Sequence, residues 1–295
     1  MKSQLSYIWG LILGVFIRFL SKLYIQSFFH FRNQELLDGL KKTGAYPGFI
    51  RGPLLQKGEN LVNLSKINTR TPLDKTARKV VYTCVTGGYD NVAPLFFKPA
   101  DCDFLLFTDD AGLKVEGWQT ILLEKKLISN DFLLSRMPKL LPHRFLKNYD
   151  YSIYIDGNYE LIGDVTELFD YLNGKSLGLF RHASGTFCIK DEAQRIIIGR
   201  KANARDIEKQ MNAYFEEGFP ENQGLFECGV IVREHYQQEV METMETWWAE
   251  LKKHPYRDQM SLPYAIWKTK TDIEVINGNV WRSELYLRKP HVNGW

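Results

Sequence analysis

Residues 151–161, YSIYIDGNYEL, set an acid and an amide two positions apart at the end of an apolar run. Asp156 and Asn158 flank Gly157, and side chains at i and i+2 can aim two oxygens at one point where the chain turns. A hard divalent cation takes oxygen ligands; held there, it bridges the oxygens of a diphosphate and stabilises it as a leaving group. Asn158 brings a neutral carbonyl and not a second carboxylate, which weakens the grip on a cation. The plainer reading is an acid in an ordinary turn at a strand end. Both readings stand at this level.

Phosphate oxygens also call for cations, and Arg136, Lys139, His143, Arg144 and Arg181 are candidates, although each alone reads equally well as a solvated or ion-paired side chain. Glu227 opens an apolar strand and Asp258 opens a helix. Either suits a general base for a sugar hydroxyl, and Asp258 also suits an N-cap. Two further imidazoles stand out. His182 ends the strand-like run SLGLFRH (176–182), and His291 lies in the polar tail KPHVNGW (289–295). Such a tail is either a frayed end or a segment folded back to bring His291 to a metal.

Strand-like and helix-like segments alternate along the body of the chain and must position these groups. The runs 79–85, 103–110, 118–124, 151–156, 176–182, 227–234 and 272–281 read as strands. Residues 129–146 read as helical, broken or kinked at Pro138 and Pro142. A short helix over 164–174 has Asp164 as N-cap, Glu167 three residues on and Gly174 at its end. Two helical stretches cover 189–217, and 236–253 and 258–269 read as helices. This alternation predicts an α/β sheet with helices on both faces, in which ligands bind beyond the carboxyl ends of the strands. The polar clusters Thr86–Asp90, Asp109–Asp110, Asp156–Asn158 and Arg181–His182 all fall at strand ends.

With 295 residues, 44% hydrophobic and 25% charged, the chain can bury a sizeable core. The aromatic share of 14% is high, as in many sugar and nucleotide sites, though most such rings serve the core. A net charge of +3 does not point to nucleic acid. Cys84, Cys102, Cys188 and Cys228 form no C-x-x-C pair and read as reduced core or site residues.

The N-terminal residues differ. Residues 1–34 hold Lys2, Arg18, Lys22 and Arg32 and no acid. The longest uncharged run, 3–17, falls short of the roughly 20 residues of a spanning helix. Gly14, Arg18, Lys22, Gln26 and His30 recur every four residues and form one polar stripe opposite a broad apolar face. That pattern predicts an amphipathic membrane-anchor helix over 1–34, its cations meeting anionic headgroups through residues 1–31. A spanning signal-anchor and a helix packed on protein are the alternatives. Residues 35–78, rich in Gly, Pro, Asn and Lys, read as a connector that wraps the domain, and 79–295 as the catalytic domain.

Six stretches in this order, YTCVTGGYD, FTDD, SRMPKLLPHRF, YSIYIDGNYEL, GVIVREH and RDQMSL, resemble a predicted glycosyltransferase family long catalogued as a domain of unknown function. It includes plant Golgi proteins linked to pectic mucilage and turgor, and bacterial relatives that look like capsule and lipopolysaccharide assembly proteins. The resemblance spans roughly residues 79–268. It implies a GT-A-like, Rossmann-type mixed sheet flanked by helices. By that resemblance Asp156 and Asn158 stand at the metal–diphosphate motif, Thr83, Thr86 and Tyr89 line the nucleotide pocket, and Asp109 or Asp110 lies near the base or ribose. Asp258-Gln259 is similar to an Asp-Gln pair that retaining glycosyltransferases set beside donor and acceptor sugars. HVNGW resembles their late His motif, without its Lys-Pro, which makes His291 the third candidate metal ligand.

The expectation is therefore a membrane-associated glycosyltransferase. It moves a sugar from a nucleotide-sugar, a UDP-sugar in the first instance, to a polysaccharide or lipid-linked glycan with the help of Mn2+ or Mg2+. Arg136, Lys139 and Arg181 face the diphosphate, and Asp258 or Glu227 serves the acceptor. The cytoplasmic face of a bacterial inner membrane is the expected location, with a Golgi lumen as the alternative, and homo- or hetero-oligomers are left open. The rival functions are a catalytically inactive scaffold in a polysaccharide assembly complex and a sugar nucleotidyltransferase. The second lacks support, because no Gly-rich G-x-G-T-R-like loop follows the first strand.

Overall fold

The computed structural model describes residues 63–66, 68–74, 76–183, 188–255 and 257–292. The amphipathic segment 7–31, most of the connector and the final Asn-Gly-Trp lie outside them. Among the described residues no helix is long and apolar enough to cross a membrane.

Four strands run parallel: β1 (Lys79–Val85), β2 (Cys102–Thr108), β3 (Gln119–Leu122) and β4 (Tyr151–Ile155). They continue through β7 (Phe226–Arg233), β6 (Leu177–Arg181) and β8 (Glu274–Ile276) into one seven-stranded sheet of order β3-β2-β1-β4-β7-β6-β8. β7 alone runs antiparallel to its neighbours β4 and β6. The chain leaves β1 toward β2 and β3 and returns to the other side of β1 as β4. The order thus reverses between β1 and β4, and the crevice beyond their carboxyl ends is where open α/β sheets bind ligands. Because β7 is reversed, its first residues arrive at that same edge.

Both faces of the sheet are covered, which is why its central strands read as continuous apolar runs. Val80 and Tyr82 of β1, Leu105 and Phe107 of β2, and Tyr154 and Ile231 pack on one face. There they meet α1 (Asp131–Leu140), α5 (Gln238–Lys253) and α6 (Asp258–Thr269) through Leu134, Trp247 and Leu262. The alternate residues Val81, Phe104, Ile153, Ile155, Val230 and Val232 face the other way, onto a 3₁₀ helix, Val165–Leu172. A third cluster joins α3 (Ile189–Ile198), α4 (Ala204–Glu216) and α6, with Tyr214 stacked on Tyr264 at 3.9 Å between ring centroids. All four cysteines are buried and free.

Local chemistry explains several element ends. Asn130 caps α1 by accepting from the Leu133 N–H at 2.9 Å. Pro138 does not break α1 as expected: it sits inside the last turn, and α2 (Pro142–Phe145) starts afresh with Pro142 in its first turn. The segment after Asp164 is 3₁₀ and not α. Asp164 does cap it, whereas Glu167 makes no capping box and pairs with Arg70 at 2.6 Å. Only Glu274–Ile276 of the expected strand 272–281 pairs. Two three-residue strands that the sequence did not reveal, β5 (Tyr159–Leu161) and β9 (Tyr286–Arg288), form a separate antiparallel ribbon. From the connector, Leu64 is fully buried and its N–H donates to Glu284 at 2.6 Å.

Candidate active site

Asp156 is the first residue past β4, and its N–H donates to the Gly229 carbonyl of β7 at 2.9 Å. Its carboxylate is held by neighbours on two elements, β4 and α1. The Tyr154 hydroxyl donates to Oδ1 at 2.8 Å, and the Lys139 ammonium lies 3.3 Å from the same oxygen. Lys139 also donates to Asp258 Oδ2 at 2.8 Å. One buried ammonium thus bridges two carboxylates that are 102 positions apart in the chain. Arg136, one turn earlier on α1, puts Nε 3.3 Å from the same Asp258 oxygen, a charge contact without hydrogen-bond geometry.

These groups are set by ordinary packing. Pro138 and Lys139 close α1, where helix carbonyls lack partners. The fully buried Arg233 fills that need by donating to the Lys139 carbonyl at 2.7 Å, while Tyr82 donates to the Pro138 carbonyl at 2.9 Å. Asp258 is the first residue of α6, where a carboxylate suits the positive end of the helix. It is not the N-cap; Arg257 is. The Trp247 indole fixes the Asp258 carbonyl at 2.8 Å.

The charges are mutually stabilised. Burial alone would raise the Asp258 carboxyl, but the Lys139 ammonium and the Arg136 guanidinium outweigh it and hold it well below the usual carboxylate range. The same balance keeps Asp156 lowered, although its Asp258 neighbour opposes this. Burial likewise disfavours the Lys139 ammonium, and the two carboxylates reverse that. Asp156 keeps 26% of its side-chain surface open against 1% for Lys139, so the carboxylate is the more open partner and the ammonium is sealed.

Glu227 lies near the start of β7, on the same strand face as Gly229 two residues on. A Cβ at Gly229 would lie 3.2 Å from Asp156 Oδ2, so Glu227 shares the face that looks toward Asp156. Its Oε1 accepts from the Ala183 N–H at 3.0 Å, and His182 Nε2 is 3.8 Å away. Burial raises the Glu227 carboxyl and drops His182 to about 4, helped there by Arg195, Arg288 and Lys201.

Around the β1 turn, Gly87 and Gly88 both take positive φ, 61° and 62°, which glycine alone adopts freely. The Gly87 N–H donates to Asp109 Oδ1 at 3.0 Å, and Lys125 bridges Asp109 and Asp131, each at 3.1 Å. Thr86 donates its hydroxyl to the Asp131 carbonyl at 2.7 Å. Thr83 is buried, and its hydroxyl has no partner among the described residues. Asp110 is exposed and caps the Gly112 N–H, and Arg181 is exposed at the end of β6.

The tail folds back. Asn158 donates from Nδ2 to the Lys289 carbonyl at 2.6 Å and accepts the Lys289 N–H at its own carbonyl at 2.8 Å. His291 Nδ1 lies 2.9 Å from Asp90 Oδ2, and the Tyr89 ring packs 4.9 Å from the imidazole. Asn158 Oδ1 is buried without a partner, which leaves a coordinating oxygen unused. Carboxylate, amide oxygen and imidazole, as on Asp156, Asn158 and His291, are each donor types that a divalent cation takes. No cluster of three His, Cys, Asp or Glu suited to a metal occurs among the described residues.

Asp156, Lys139, Arg136, Asp258 and Glu227 therefore converge at one sheet edge, with Asn158 and His291 beside them, whereas Arg181 and Asp110 stand at the rim. Sequence reasoning assigned no role to Tyr154, Arg233 or Asp90. The first two read as core or strand residues and the third as a turn acid, and only their partners single them out.

Residues 100–285 match the family model of the TOD1/MUCI70 glycosyltransferase-like domain, well over half of the chain. That span starts after β1 and runs past α6, later at both ends than the motifs suggested. A "Probable hexosyltransferase MUCI70" of Arabidopsis thaliana is 29% identical over 163 residues, 52% of this chain. The chain spans only 28% of that relative's length. The apo crystal structure of mouse xyloside xylosyltransferase 1 aligns over 68% of this chain and 84% of its own, at 12% identity and a TM-score of 0.40, too distant to carry residues across. By sequence, the chain belongs to the TOD1/MUCI70 glycosyltransferase-like family.

Proposed function

We propose that the protein is a hexosyltransferase-type enzyme that passes a sugar from a nucleoside diphosphate sugar to a glycan hydroxyl. The observation that carries this reading is the buried Lys139 ammonium shared by Asp156 and Asp258 at the β1–β4 switch point. It keeps both carboxylates ionised and in place, so that Asp156 is preorganised to take a cation that would meet the diphosphate. In the net reaction the anomeric carbon–oxygen bond to the diphosphate breaks and a bond to the acceptor oxygen forms. The acceptor proton is released, and the nucleoside diphosphate leaves.

The two candidate bases separate by environment. Asp258 is held ionised by two cations and is a weak proton acceptor, suited to orienting a hydroxyl or steadying positive charge on the sugar. Glu227 is raised by burial, which makes it the better acceptor of the hydroxyl proton. Asp156, Asn158 and His291 would hold a divalent cation, Mn2+ or Mg2+, which when bound supplies charge neutralisation to the diphosphate. Arg136 is the cation best arranged to meet phosphate oxygens, because it is partly open while Lys139 is sealed. The basic apolar segment 7–31 supports attachment to an anionic membrane surface, and a UDP-sugar donor with a lipid-linked or polysaccharide acceptor remains the working pair.

The test is a screen of nucleotide-sugars against the full chain, with and without Mn2+, that reads nucleoside diphosphate release and thermal stabilisation. At least one donor should be hydrolysed or transferred, and Asp156→Asn should lower the rate by about 100-fold or more while leaving the fold intact. A panel in which no nucleotide-sugar is turned over or stabilises the chain overturns the reading.

A further inference from the structure

The ribbon of β5 and β9 pairs Tyr159 with Arg288 in antiparallel register. One residue further on, the ladder continues through Asn158 and Lys289, joined by two hydrogen bonds, one of them from the Asn158 side chain. Lys289 also pairs through Nζ with Glu160 at 2.7 Å. In an antiparallel pair each further step along one chain moves back along the other. The residues after Lys289 therefore run back along the Asp156–Asn158 turn. Pro290 has no N–H to extend the ladder, and the next side chain, His291, is anchored elsewhere.

Its anchor is Asp90. Both carboxylate oxygens lie within reach of Nδ1, at 3.0 and 2.9 Å, and the Val292 N–H approaches Oδ1 at 3.4 Å. Asp90 is almost fully buried, in contact with the turn itself: a Cβ built on Gly157 would lie 3.6 Å from the Asp90 Cβ. A carboxylate only accepts hydrogen bonds, so the Nδ1 atom of His291 carries the proton. In the neutral ring Nε2 is then the nitrogen with the lone pair. Metal-binding histidines are commonly oriented in this way, by a carboxylate on the nitrogen that does not coordinate.

We infer that Asp90 is a positioning residue for His291: it docks the tail on the β1 turn and fixes the imidazole in the tautomer whose Nε2 can take a divalent cation beside Asp156 and Asn158. This rests on the cation-binding part of the proposed function. It adds a link between three separate segments. The turn after β1, the turn after β4 and the C-terminal tail are tied together by Asp90, Asn158 and His291, so cation binding and tail docking support each other.

Two measurements on the full chain decide it. Long-range proton–nitrogen NMR of histidine-labelled protein, assigned with His291→Ala, should show His291 in the Nδ1–H form, whereas the Nε2–H form overturns the inference without any variant at the site. Mn2+ titration followed by electron paramagnetic resonance in the presence of UDP should show a saturable site. Asp90→Asn and His291→Ala should each weaken it by roughly 10–100-fold, with the thermal midpoint of the apo chain reported alongside. If Asp90→Asn binds Mn2+ like the native chain while Asp156→Asn does not, the positioning role of Asp90 is wrong and the cation site stands. If the native chain with UDP shows no saturable Mn2+ site, the cation reading fails and the inference falls with it.

Discussion

Gly157 lies so close to Val85 that a Cβ on residue 157 would stand 2.3 Å from the valine Cγ2. The ends of β1 and β4 are therefore in contact at the point where the strand order reverses, and Asp156 and Asn158 are displayed on either side of that contact. Gly157 has no positive φ, so the requirement is for space and not for backbone freedom. Gly157→Ala should overpack the turn, cost about 1–3 kcal/mol and displace both flanking side chains, with a matching loss of turnover. The double change Gly157→Ala with Val85→Ala removes the clashing methyl. Chemical denaturation should show the pair to be less damaging than the sum of the single changes.

Lys139 is the ammonium that reaches both carboxylates, and its removal leaves Asp258 with the Arg136 contact and Asp156 without its 3.3 Å ion pair. Lys139→Met, which keeps most of the volume, should destabilise the chain by about 3–5 kcal/mol. Adding Asp258→Asn should recover part of that loss, because it removes the like charge that opposes Asp156. Urea titrations of the single and double variants would measure the coupling, and strict additivity would show that the bridge is energetically idle.

Tyr154 donates to the same Asp156 oxygen that meets Lys139. Tyr154→Phe keeps the ring, which packs edge-on against Tyr82 at 5.4 Å, and deletes only the hydroxyl. A hydrogen bond to a charged group is worth about 1.5–3 kcal/mol. The variant should lose that much stability, and its turnover should fall less than that of Asp156→Asn. Equal turnover losses would mean that Tyr154 does more than hold the carboxylate.

Glu192 on α3 has no role in the proposed chemistry and gives a separate check on the electrostatics. Burial pushes its carboxyl from the ordinary 4.5 to about 7, against the partial offset of Arg195 and Lys201. Between those two values the native state keeps a proton that the unfolded chain has released. Native stability must then fall as pH rises from about 4.5 to about 7, by at most about 3 kcal/mol. Glu192→Gln should flatten that segment of the stability–pH curve, and an unchanged slope would show that the carboxyl is not protonated in the native state.

Much of this architecture is local and could be read directly. The apolar runs of β1, β2, β4 and β7 declare themselves because a sheet buried on both faces needs no polar alternation, and the Asp156–Asn158 pair is visible because its members are two residues apart. Helix α1 was legible except for Pro138, which stays within the last turn; Arg233 and Tyr82 take up the Lys139 and Pro138 carbonyls that the helix end leaves there. The β5–β9 ribbon was not legible, since three residues are too few to show a period.

What the chain by itself determined, then, is the set of strands, helices and turns and the kinds of side chain at each strand end, for these follow from periodicity, capping and turn chemistry between near neighbours. Which of those side chains meet was decided only in three dimensions. Lys139 finds Asp258 across 119 positions and Asp90 finds His291 across 201, and no spacing rule links residues that far apart. The physical reason is that strand order and the reversed direction of β7 set those encounters, and strand order depends on the packing of both sheet faces at once.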